Sequence, residues 1–136
     1  MTPSVRVRSV PQGAYRAYLT KSNECYIDMQ NAVKAARWNS AAILAVHTVV
    51  SACDALTSFY LRIRCTSERH LDILTLINRL PLSKPDIDAK SKQIGRVIDI
   101  KNKAEYEERL ITENEARSAA KDAERVLIWV QKNVAS

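Results

Sequence analysis

The chain has 136 residues, with 46% hydrophobic and 26% charged positions but only two Gly and four Pro. That is enough for one helical domain with one core, and it excludes low-complexity and disulfide-scaffold classes. The net charge is +6, yet residues 1–38 hold six basic against two acidic side chains, so the excess is an N-terminal feature. It reads as a solvated basic end with weak attraction for phosphate, not as a basic groove along the domain. Cys25, Cys53 and Cys65 are odd in number and form no CxxC pair, which points to small, buried, reduced thiols and a cytoplasmic location. No secretory signal pattern is expected.

Residues 1–13 carry Arg6 and Arg8 in a Val-Arg-Val-Arg alternation between Pro3 and Pro11. With no second strand candidate in the sequence, the expectation is a flexible basic arm. From about Ala14 to Arg37, Tyr15, Tyr18, Leu19, Cys25, Tyr26, Met29, Ala32, Val33 and Ala36 recur at steps of three and four, which predicts a first helix. Trp38-Asn39-Ser40 is a tight connection in which Asn39 and Ser40 are candidate N-caps, so the next helix runs antiparallel to the first.

That second helix, Ser40 to Leu61, is the centre of the chain: 15 of its 22 residues are apolar, without Gly or Pro. It has the length of a membrane span, but His47 and Asp54 share one face near its middle, and charge is expensive in lipid. The expectation is the core helix of a soluble bundle, with no membrane and with His47 buried and hydrogen-bonded to a neighbouring helix.

A polar basic stretch from Arg62 to His70 follows, and His70 is placed to help cap a short third helix (Leu71, Ile73, Leu74, Ile77, Leu80) ended by Pro81. Asp86 is a candidate cap for a fourth helix with Ile87, Ile94, Val97, Ile98 and Ile100 inward. Its charged end, Lys101 to Leu110, offers the i,i+4 pairs Lys101–Glu105, Lys103–Glu107 and Glu105–Arg109. Thr112 and Glu115 spell a capping box opening a fifth helix to about Val134, with Ala116, Ala119, Ala120, Ala123, Val126, Leu127 and Val130 inward.

Common enzyme signatures are missing. Gly13 and Gly95 make no phosphate loop, no Cys/His set has metal-ligand spacing, and no nucleophile sits in a known motif. No cofactor is expected.

The order of "AARW", "NSAAILAVHTVVSACDALTSFY", "SERHLDILTL" and "RVIDIKNKAEYEERLIT" resembles a HEPN domain over roughly residues 14–134. The resemblance implies an all-α, up-and-down bundle of about five helices, occupying residues 14–136 and forming a homodimer. It also implies a setting in bacterial or archaeal toxin–antitoxin, defence or mobile-element systems. RNA, a nucleotide or a nucleotidyltransferase-type protein are the partners it suggests.

In the RNA-cleaving members of that family, an Arg, a polar residue and a later His act without metal at a dimer cleft. Lys101 matches the Arg with its charge but not its fork, Asn102 matches the polar residue, and Tyr106 stands where the His would be. A phenol with an ordinary pKa of about 10 is a poor base near neutrality. This resembles the stand-alone branch with an acidic-Tyr pair at that place, and it implies a binding or regulatory module without catalysis. Lys101, Asn102, Lys103 and Arg109 are the implied nucleic-acid or nucleotide contacts. The alternative is a metal-independent endoribonuclease using Lys101, Asn102 and Tyr106, helped by Arg64 or His70. A nucleotide-binding partner of a minimal nucleotidyltransferase is a third reading.

Overall fold

A computed structural model describes residues 5–67, 69–106 and 108–134, leaving out the side chains of His70 and Tyr106. Five α-helices are present among the described residues: α1 (Tyr15–Lys34), α2 (Trp38–Leu61), α3 (Ile73–Ile77), α4 (Lys84–Tyr106) and α5 (Glu113–Asn133). Two short strands, β1 (Val7–Ser9) and β2 (Ile63–Cys65), form an antiparallel ribbon. The fold is an all-α bundle with α2 at its centre, packed against α1, α4 and α5.

Helix α2 is central because its circumference is apolar nearly all round. Ala41, Ala42, Ala45, Val49, Ala52, Cys53, Ala55 and Leu56 are all fully buried. The alanines admit neighbouring helices at close range, and Leu56 is one of the largest fully buried side chains of the core. Removing such a side chain costs about 2–5 kcal/mol, because a packed interior does not collapse into the hole. The helix is long and apolar enough to cross a membrane, yet 67% of its apolar window is buried inside the bundle. Helix α5 supplies the opposing face: Ala116, Ala119, Ala123, Val126, Leu127 and Val130 are buried at helical spacing. Ile87, Ile94, Val97 and Ile98 do the same from α4.

The hairpin between α1 and α2 closes with a Schellman motif. Arg37 N–H donates to Ala32 O at 2.9 Å and Ala36 N–H to Val33 O at 3.0 Å. Ala36 therefore takes φ 56°, a left-handed position that usually belongs to glycine. Neither Asn39 nor Ser40 caps α2, which begins at Trp38 with no side-chain cap bond. Asn39 instead accepts a 2.9 Å hydrogen bond from Ile111 N–H, tying the start of α2 to the loop before α5.

Several other local expectations are corrected. Residues 7–9 are not a free arm: Val7, Arg8 and Ser9 pair with Cys65, Arg64 and Ile63. Val10 N–H donates to Arg62 O at 3.0 Å and Thr66 N–H to Arg6 O at 2.9 Å, extending the ladder at both ends. The partner strand follows α2 directly, because Arg62 turns the chain through φ 55°. His47 is exposed rather than buried, while Asp54, two turns later on the same side, is covered by Arg64 from the ribbon. The third helix is shorter than expected, a 3-10 turn (His70–Asp72) leading into α3. Helix α4 starts at Lys84, with Ile87 N–H donating to Ser83 O, so Asp86 lies inside the first turn. There its charge complements the helix dipole without serving as the cap. The capping box of α5 forms as expected, Glu115 N–H donating to Thr112 Oγ1 at 3.2 Å and Thr112 N–H to Glu115 Oε1 at 3.0 Å.

Candidate functional site

The last turns of α4 and the first turns of α5 bring together the basic residues singled out from the sequence. Lys101 is largely covered, its side chain 18% exposed, and its Nζ lies 3.2 Å from Glu105 Oε2. Lys103 Nζ stands 3.7 Å from Asp99 Oδ2 and 3.9 Å from Glu115 Oε2. Arg109 grips Glu115 with both terminal nitrogens, each 2.8 Å from a carboxylate oxygen. Asn102 is exposed on the same helix. The expected Lys101–Glu105 pair is thus present, whereas Lys103–Glu107 falls outside the described residues.

Glu115 is the hub of this region. The Arg109 guanidinium, followed by the Thr112 backbone N–H, lowers its pKa to about 2, so it stays ionised through the physiological range. One carboxylate closes the capping box, chelates Arg109 and draws Lys103 toward it. Lys101 on Glu105, Lys103 between two carboxylates and Arg109 with both terminal nitrogens on Glu115 have less to offer an incoming phosphate, since binding must first displace an internal partner.

Arg64 has different surroundings. Its Nε donates to Asp54 Oδ2 at 3.2 Å, and its guanidinium lies 5.6 Å from the centre of the Tyr18 ring. Burial raises the Asp54 carboxyl to about 6, against the opposing pull of Arg64 and Lys21. Arg64 is thereby a clasp between β2, α1 and α2. His70, in the turn before α3, and Tyr106, in the last turn of α4, hold their backbone places, but their side chains lie outside the described atoms.

Sequence reading missed a second constellation. On α4, Arg96, Ile100 and Lys103 follow at steps of four and three; on α5, Asn114, Ser118, Lys121 and Arg125 follow at four, three and four. These faces line a groove of about 500 Å³ between the two helices. Asp122, 4% exposed, forms its wall and binds Arg96. The spacing was visible in the sequence, but nothing there pairs α4 with α5 face to face. Among the described residues no three His, Cys, Asp or Glu side chains cluster as a metal site requires.

The helix order, the central α2 and the charged α4 end can be set beside known families. A family model described as the HEPN domain matches residues 15–133. The chain belongs to the HEPN family. A search of curated proteins finds no match. The HEPN match spans all five helices and leaves β1 outside it. For this HEPN domain, β1 thus precedes the matched region and pairs with β2, which lies inside it and carries the Arg64 clasp.

Proposed function

We propose that this HEPN domain is a non-catalytic interaction module, acting as a homodimer in a defence, toxin–antitoxin or mobile-element system. The observation that carries the reading is the pairing of the basic candidates: Lys101 with Glu105, Lys103 with Asp99 and Glu115, and Arg109 with Glu115. These charges support the helix ends first. Tyr106 at the position of a general base adds to the argument, because an ordinary phenol is protonated at neutral pH. RNA, a nucleotide and a nucleotidyltransferase-type protein are the partners proposed for the module.

The test is RNA cleavage by purified protein in EDTA, with Lys101→Ala and His70→Ala beside wild type, and light scattering on the same samples. The module reading expects intact RNA throughout and twice the 15.3 kDa chain mass. Cleavage that vanishes in either variant overturns it in favour of a metal-independent endoribonuclease.

A further inference from the structure

The α4–α5 groove has two chemically different ends. At one end Asp122 holds two guanidiniums at once. Arg96 donates to it from Nε and Nη2, both at 3.0 Å, and Arg125 donates from Nη1 at 3.3 Å. The carboxylate is buried while the two arginine side chains are 59% and 51% exposed, so the triad presents a net positive charge on a fixed base. Each guanidinium also keeps donors beyond those spent on Asp122. Exposed Lys121, one position before Asp122, adds a second positive charge to the same end.

At the other end Lys103 lies between Asp99 and Glu115, and Glu115 is already chelated by Arg109. Carboxylates there oppose a second anionic group but accept hydrogen bonds from hydroxyls. Asn114 and Ser118 add neutral polar groups, and Ile100 and Ala119 give the lining its apolar part. The volume of about 500 Å³ exceeds what a bare oxyanion fills and suits a small organic molecule.

We propose that this groove binds a hydroxylated organic phosphomonoester, its dianionic phosphate held by Arg96, Lys121 and Arg125. Two positive charges at one end match one dianion, and the guanidinium donors not spent on Asp122, among them Arg96 Nη1 and Arg125 Nη2, can bond phosphate oxygens. The hydroxyl-bearing body lies toward Asp99, Asn114 and Ser118. The phosphate-binding end, Arg96, Lys121 and Arg125, lies outside the Lys101–Tyr106 stretch, although Lys103 lines the other end, and the proposal stands whether or not the module reading does.

The experiment is calorimetric titration of the full chain at low salt with ribose 5-phosphate, ribose and inorganic phosphate. Ribose 5-phosphate is expected to bind at or below ~1 mM, inorganic phosphate about tenfold more weakly, and ribose not measurably. Lys121→Gln and Arg125→Gln should each weaken ribose 5-phosphate about tenfold, as loss of one charged contact does. Lys34→Gln, in the neighbouring α1–α5 groove, should leave it unchanged. Circular dichroism and melting of each variant establish that the bundle is intact. Absence of ribose 5-phosphate binding overturns the site, as does affinity unchanged in both folded Lys121→Gln and Arg125→Gln. Equal affinity for inorganic phosphate overturns the organic ligand.

Discussion

Arg64 Nε lies 3.2 Å from Asp54 Oδ2, and this one ion pair fastens the β1–β2 ribbon to the most buried helix of the bundle. The partners are unequal: the Asp54 side chain is 6% exposed and that of Arg64 37%. Removing the arginine strands a carboxylate that is itself covered. Arg64→Ala is expected to cost about 2 kcal/mol, below the usual figure for a buried pair because Arg64 is partly solvated. Asp54→Asn should cost less, since its amide oxygen still accepts from Arg64. Placed on Arg64→Ala, it should recover part of the loss. Urea unfolding of the four-member cycle measures this. A cost under about 0.5 kcal/mol for Arg64→Ala would reduce the clasp to an ordinary surface pair.

The same carboxylate gives the fold a pH signature. Burial holds the folded Asp54 pKa near 6, above its ordinary 3.8. The folded state therefore binds this proton more tightly than the unfolded state. The group's contribution to stability is most favourable below the unfolded pKa, and declines as pH rises through about 6. Asp54→Asn removes that dependence. The melting temperature of Asp54→Asn relative to wild type should rise between pH 4 and pH 7. A flat difference across that window would mean that Asp54 is not desolvated as the ribbon implies.

Much of the bundle was legible because its elements are long and strongly periodic. The apolar run of α2, the inward alanines of α5 and the Thr112–Glu115 box each carry a local signal that needs no tertiary partner. The failures fall where a short segment depends on a distant one. Ile63-Arg64-Cys65 has no strand signature of its own, and becomes a strand only because residues 7–9 lie beside it and Asp54 lies beneath. Asn39 looks like a helix cap in sequence, but its oxygen is claimed by Ile111, 72 positions away. His47 shares a nominal face with Asp54, and only the ribbon decides which of them is covered. The α4–α5 groove needed the helix pairing before its spaced cations could be recognised as one wall and its opposite.

Ala36 offers a test of backbone strain without any change in the core. It is exposed, takes φ 56°, and occupies the turn position where glycine carries no Cβ penalty. A left-handed alanine costs roughly 1–2 kcal/mol. Glycine relieves that cost but adds about 0.5–1 kcal/mol of unfolded-chain entropy. Ala36→Gly should therefore stabilise by about 0.5 kcal/mol, read as a higher urea midpoint with an unchanged slope. A loss of stability would mean that the α1–α2 hairpin is not closed by the Schellman bonds from Ala36 and Arg37.

Glu115 joins stability to the proposed function. Thr112→Ala removes only its hydroxyl from the capping box and should cost about 1 kcal/mol. Glu115→Ala should cost more, because it also releases Arg109 from a bidentate chelate and takes the carboxylate from Lys103. The sign with pH is opposite to that of Asp54. Arg109 holds the Glu115 pKa down near 2, so its contribution is present above the ordinary 4.5 and is lost as pH falls toward 2. Comparing the two variants at pH 7 and pH 3 should show their difference shrinking in acid. Glu115→Gln carries the argument to binding, since it keeps the shape and removes the charge. If internal pairing is what withholds Lys103 and Arg109 from phosphate, this variant should bind a short RNA more tightly than wild type. Its affinity should also fall more steeply with salt. Equal RNA affinity and equal salt slope for the two proteins would show that pairing with Glu115 does not restrain these cations.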